Sequence, residues 1–111
     1  MLAASCGGDS KAEPTQEDID VVGTALADIV FQCRLFTTGQ VASPDQQSLK
    51  QDVETLLEVY SSVEPDTTFE LGSGNIQRKT TLRRELRLGA RVLGERCAPE
   101  QSSRLKEAAA D

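Results

Sequence analysis

Apolar residues recur in steps of three and four along two long stretches of this chain, and a glycine or a proline closes each. Between Thr15 and Thr38 they fall at Ile19, Val22, Leu26, Ile29, Val30, Cys33 and Phe36. That spacing lays one apolar stripe down an α-helix. Thr15 reads as its N-cap, Glu17 and Asp18 place negative charge in its first turn, and Gly39 reads as its stop. The second stretch opens at Ser43-Pro44-Asp45-Gln46, where Ser43 is the expected N-cap, Pro44 the first helical position and Gln46 the capping-box partner. Its stripe is Leu49, Val53, Leu56, Leu57, Tyr60 and Val63, and Pro65 marks its limit. The link between the two is short, so the helices are expected to lie antiparallel.

Residues 66–75 read as a connector, with Phe69 and Leu71 covering one end of the core in an extended stretch and Gly72-Ser73-Gly74-Asn75 turning the chain. A third helix is expected after it, capped by Asn75 or Thr80, with Leu82, Leu86, Gly89, Leu93 and Cys97 on one face. Gly89 and Gly94 inside that helix each cost about 1 kcal/mol against Ala, which points to close approach of a neighbouring helix. Pro99 ends it, and residues 99–110 read as a short, weakly amphipathic fourth helix around Leu105 and Ala108, or as a frayed end.

A chain of 111 residues suits one domain with one core. With no Trp, one Tyr and three Phe, that core must be built mainly from Leu, Val, Ile and Ala, which favours packed helices over a sandwich. The expected fold is therefore all-α: an up-down-up three-helix bundle over residues 15–111, with a short fourth helix at its C-terminal end. Residues 1–14 form a tether before it.

The formal charge of −6 argues against nucleic acid or an anionic membrane as a partner for the domain as a whole. The charge is unevenly placed. Residues 1–70 carry 13 acidic and 3 basic side chains, and residues 71–111 carry 9 basic and 5 acidic ones.

The segment Leu2-Ala3-Ala4-Ser5-Cys6-Gly7-Gly8-Asp9-Ser10 resembles the lipobox of bacterial lipoproteins followed by a flexible tether. Small residues before the cysteine let the backbone enter a peptidase cleft, and a Gly/Ser/Asp-rich run holds a domain off the bilayer. Leu2 lies one position further from Cys6 than the usual motif places it. The resemblance implies that the Cys6 thiol carries a lipid and that Cys6 becomes the mature N-terminus. It also implies that the domain sits on the extracytoplasmic face of a bacterial membrane. Two or more acyl chains give stable attachment where one gives only transient binding. Downstream of Cys6 no apolar run approaches the ~18 residues a spanning helix needs.

Cys33 and Cys97 each lie on an apolar stripe near the C-terminal end of their helix. In an up-down-up bundle the first and third helices run parallel, so those ends share one end of the molecule. Cys33 lies about 18 residues beyond its cap and Cys97 about 17 to 22 beyond its own, which at 1.5 Å per residue places them at similar height. An oxidising compartment would let them form a disulfide. In a cytosolic chain the same positions would read as buried thiols. No Cys-x-x-Cys spacing suggests redox catalysis.

The run Gly72-Ser73-Gly74-Asn75-Ile76-Gln77-Arg78-Lys79-Thr80 invites comparison with a phosphate-binding loop, but both required glycines are missing. Lys79, Arg83, Arg84, Arg87 and Arg91 make a candidate face for an anionic polymer, lipid headgroup or acidic partner. The plainer account pairs them with the acidic surfaces of the first two helices. Phe31 and Leu35, opposite the main stripe of the first helix, make a candidate docking patch unless a terminal segment such as Leu105 covers them. Histidine is absent, which removes the usual general base and the commonest metal ligand. The carboxylates read as solvated helix faces, not as a buried acid pair. No catalytic residue, metal or cofactor is expected. The expected function is a non-enzymatic interaction or scaffold module whose partner is an envelope protein or polymer. The alternative is a bundle that binds a small ligand between its helices near Gly89 and Gly94.

Overall fold

The computed structural model describes residues 11–73, 76–94 and 96–110; Cys6 and the rest of the lipobox-like segment lie outside them. The order is α1 (Gln16–Thr37), α2 (Gln46–Ser62), β1 (Thr68–Ser73), β2 (Ile76–Thr81), α3 (Leu82–Leu93) and α4 (Pro99–Ala108). The chain is mostly helical and carries the Cys33–Cys97 disulfide, but a two-stranded antiparallel sheet interrupts the helices.

α1 starts as its sequence dictates. Thr15 Oγ1 accepts from the Asp18 amide at 3.1 Å, and Asp18 Oδ2 accepts from the Thr15 amide at 3.0 Å, so two orphan donors are satisfied reciprocally. α2 starts two residues later than expected. Asp45, not Ser43, is the N-cap, its carboxylate accepting from the Ser48 amide at 3.1 Å. Asp caps as well as Ser does, and its charge also suits the positive helix N-terminus. Pro44 is then a buried residue outside the helix instead of its first position.

The larger difference lies between residues 68 and 81. Residues 66–75 were expected as a connector and the third helix from Asn75 or Thr80; instead Thr68 pairs with Thr81 and Ser73 with Ile76 in a β-hairpin. α3 begins only after it, with Thr81 Oγ1 accepting from the Arg84 amide at 3.2 Å. An isolated two-stranded hairpin is marginal in water. Here it is held because Phe69 and Leu71 of β1 pack on the core. They are the two residues expected to cover it.

α3 also ends early. Gly94 is its C-cap at φ +50°, a left-handed conformation that glycine takes without strain, so Gly94 terminates the helix and does not admit a neighbour. Gly89 does admit one. A Cβ there would stand 3.0 Å from Leu105 Cδ1 and 3.3 Å from Leu26 Cδ2. α4 is a formed helix whose Leu105 is wholly buried, and Ser102 Oγ donates to the Ala90 carbonyl at 2.7 Å to fasten it to α3.

The core is aliphatic. Ile29, Leu49, Val53, Leu56, Leu86, Leu93 and Leu105 are fully enclosed, joined by Val22, Leu26 and Leu82. At one end of the molecule Ile19 and Val22 of α1 meet Leu82 of α3 and Val59 of α2. At the other end Cys33 bonds Cys97, with a Cα–Cα distance of 5.6 Å, and Gln46 at the start of α2 donates to the Cys97 carbonyl at 3.1 Å. α1 and α3 therefore run parallel and pack on each other, and α2 runs against both. Cys97 itself lies past the end of α3, in the turn before α4.

Candidate functional site

An open groove of about 1050 Å³ runs between α1, the hairpin and α3. Its walls are mixed, and their apolar part comes from Leu26, Ala27, Val30 and Phe31 of α1, Leu71 of β1, and Leu88 and Val92 of α3. The stripe that α1 turns to the core places Phe31 on its outer side, and the Phe31 ring is 59% exposed. Leu35, its expected companion, is half-buried and does not line the groove. Leu105 does not cover this patch; it goes into the core against Gly89. The groove reaches Gly89, one of the two glycines expected beside a cavity, but not Gly94.

Arg34 and Arg78 bring positive charge to the groove, and Asp20, Glu70 and Glu85 bring negative charge. Glu85 is completely buried in α3. Arg78 of β2 holds both of its oxygens, NH1 to Oε2 at 2.7 Å and NH2 to Oε1 at 2.9 Å, and Thr80 Oγ1 donates to Oε2 at 2.6 Å. Three charge-assisted hydrogen bonds thus satisfy a carboxylate that could not otherwise be buried. The carboxylate in turn pushes the Arg78 guanidinium pKa further up. Arg78 keeps half of its surface in water, so it is both a lock on the hairpin and part of the groove wall.

A second polar cluster lies in the seam of α1 and α2. Ser48 Oγ donates to Asp28 Oδ2 at 3.0 Å, and Gln32 Nε2 donates to Ser48 Oγ at 3.5 Å. Asp52 lies beside Asp28, and its buried Oδ2 has no other partner. Burial, followed by the hydrogen bond and charge of Asp28, pushes the Asp52 carboxyl up to about 7. Asp28 is held below its usual range, first by that same hydrogen bond. The pair therefore keeps one proton to a higher pH than a lone aspartate would. Glu17, Asp20, Thr24 and Thr55 complete the surrounding depression, which no cation lines. The expectation that every carboxylate would be a solvated surface group fails here and at Glu85. Asp28 and Asp52 meet across two helices, whereas Glu85 is held by Arg78 and Thr80 of the strand directly before it.

The expected basic face does not act as a unit. Arg83 forms a fork with Asp66 of the connector, at 2.9 and 3.1 Å, and its guanidinium carbon lies 6.0 Å from the centre of the Tyr60 ring. This contact holds the Asp66 pKa down. Arg87 Nε donates to the Ala109 carbonyl at 3.1 Å. Lys79 stands opposite Glu70 across the hairpin. Arg84 and Arg91 project into solvent from α3. Pairing with the acidic surface of α2 comes instead from α4, where Arg104 lies 3.7 Å from Glu54.

Among the described residues no three His, Cys, Asp or Glu gather as a metal site would require. No helix among them is long and apolar enough to cross a membrane. The chain matches no family model, no curated protein and no solved structure.

Proposed function

We propose that this chain is a lipid-tethered module of the bacterial cell envelope, anchored through Cys6, that acts by binding and not by catalysis. The groove between α1, the hairpin and α3 is its docking place, and an envelope protein is its partner. The observation that carries the reading is Phe31, a large apolar residue left 59% exposed at the edge of a groove whose walls are partly apolar. Apolar surface kept in water along a groove is a feature of interaction sites. The location rests on the lipobox-like segment and is supported by cysteine arithmetic. Cys33 and Cys97 form one pair, which suits an oxidising compartment, and Cys6 is the odd cysteine left for a lipid.

The groove also favours a second reading, a small apolar ligand with an anionic group, because Arg34 and Arg78 flank the apolar part of its walls. Shape favours the first. Ligand pockets usually enclose about 300–1,000 Å³ and bury most of the ligand. A groove of about 1050 Å³ that is open along its length suits a segment of a partner protein better.

Detergent-phase partitioning of the natively produced protein tests the tether. The wild-type chain should enter the detergent phase and Cys6→Ser should remain aqueous. Photo-crosslinking in intact cells tests the groove, with the reactive group at position 31 or, as a control, at the exposed position 50 of α2. One adduct of defined mass from position 31 alone supports docking there. Equal labelling from both positions contradicts it.

A further inference from the structure

Packing of α4 on α3 brings cations of two helices to one cleft. The cleft has a volume of about 440 Å³ and is lined by Arg87, Ala90, Arg91, Lys106 and Ala110. No carboxylate among the described residues lines it. Arg87 and Arg91 are one turn apart on α3, and Lys106 approaches from the last turn of α4. The two alanines supply the room. The Ser102–Ala90 hydrogen bond and the buried Leu105 hold the walls at a set separation.

The three side chains differ in their commitments. Arg87 is oriented by its bond from Nε to the Ala109 carbonyl, which leaves its terminal nitrogens for another acceptor. It also acts at a distance on Asp66, whose own hydrogen bonds go to Arg83. Arg91 and Lys106 make no ion pair or side-chain hydrogen bond among the described residues. Like charges gathered in one cleft repel each other unless an anion lies between them. A carboxylate offers its oxygens in one plane. A phosphate group spreads its acceptor oxygens around a tetrahedron, so it can meet the planar fork of arginine and the point charge of lysine from several directions at once.

We propose that this cleft binds a phosphate group, carried either by a soluble anion or by a lipid headgroup. The site is independent of the groove. The groove uses Leu88, Gly89 and Val92 of α3, and the cleft uses Arg87, Ala90 and Arg91 on a different face of the same helix. Of the five cations that make up the expected basic face, the cleft takes two. It adds Lys106, which only the formed α4 brings into place.

The test uses the full disulfide-bonded chain carrying Cys6→Ser, so that no lipid or extra thiol interferes. Amide chemical shifts are followed during titration with inorganic phosphate, against chloride at matched ionic strength. In parallel, co-flotation is measured with vesicles of phosphatidylglycerol and of phosphatidylcholine. Binding of phosphate that shifts amides around Arg91 and Lys106, with no vesicle binding, identifies a soluble source. Co-flotation with phosphatidylglycerol that phosphate competes away identifies the headgroup. In either case the double variant Arg91→Ala, Lys106→Ala should bind at least tenfold more weakly, and Arg84→Ala, outside the cleft, should bind as the parent does. All three positions are on the surface, and an unchanged melting curve shows that the variants fold. Binding no stronger than to chloride in both arms would overturn the proposal, as would an unaffected double variant.

Discussion

Arg78, in a strand, and Glu85, in the helix that follows, are joined by two hydrogen bonds of 2.7 and 2.9 Å, and the joined carboxylate is fully buried. With the Thr80 hydroxyl on the same carboxylate, the pair ties the hairpin to α3. It converts a sheet too small to stand alone into a wall of the groove.

Removing Arg78 strands a buried carboxylate. Loss of one partner from a fully buried pair typically costs 3–5 kcal/mol, and half of the Arg78 side chain is already in water, so we expect about 2–3 kcal/mol for Arg78→Ala. Glu85→Gln keeps the shape and removes the charge, and should cost less. Urea unfolding at pH 7 measures both. A loss below about 0.5 kcal/mol for Arg78→Ala would mean that the pair does not hold the hairpin.

Asp52 makes stability depend on pH in an unusual direction for an acid. Its folded pKa of about 7 lies above the ordinary aspartate value of 3.8, so between those values the folded chain binds more protons than the unfolded one. Stability from this group is fully present below pH 4 and is lost as pH rises through 7. Asp28, whose pKa is lowered, acts oppositely and only in acid, losing its contribution as pH falls through its folded pKa. Asp52→Asn, which carries a permanent donor, should therefore flatten the decline between pH 5 and 8. Asp52 is partly solvated, so the gain at pH 8 is expected to be about 1 kcal/mol or less. Melting temperatures across that range check the sign. A variant whose stability falls as steeply as the parent's would remove Asp52 as the cause.

Leu105 makes α4 part of the core and not an appendage. It is fully buried against Gly89, so Leu105→Ala should cost about 2–5 kcal/mol. Hydrogen exchange should show the amides of α3 as well as those of α4 losing protection. A cost near zero would separate α4 from the folded unit.

The Cys33–Cys97 bond closes a loop of 64 residues. The chain-entropy model assigns such a closure about 4 kcal/mol, an upper figure. Reduction, or the double change Cys33→Ala, Cys97→Ala, should lower the urea midpoint accordingly. An unchanged midpoint would show that the aliphatic core suffices without the bond.

What the amino-acid order revealed about the fold was what is local. The Thr15 cap, the stripes of α1 and α2 and the close approach at Gly89 each follow from a few neighbouring residues. The Cys33–Cys97 pairing was legible too from the parallel run of α1 and α3, although Cys97 lies in the turn beyond α3 and not on its stripe. The hairpin was harder to see, although Gly74-Asn75 between two extended runs is a turn signal and Thr80-Thr81 favours a strand. Ile76, Gln77, Arg78 and Lys79 of β2 are all exposed, so no alternation of apolar and polar residues marked it. Missing the strand also hid the reason for Glu85. Flanked by Leu82 and Leu86 it looks like a charge at the edge of a stripe, and the strand directly before α3 supplies the Arg78 and Thr80 that hold it. Asp28 and Asp52 meet through the rotational setting of two helices, and Lys106 reaches Arg91 only through the docking of α4. Neither of these is written in any short run of residues.

The tether is the central claim, and intact mass bears on it most directly. The protein is purified from its native source and its mass is recorded with and without reductant. The account predicts a chain that begins at Cys6, heavier than its residues by a lipid group on that cysteine, and that gains the mass of two hydrogens when Cys33–Cys97 is reduced. An unmodified Cys6 on a chain whose mass does not change with reductant would contradict it.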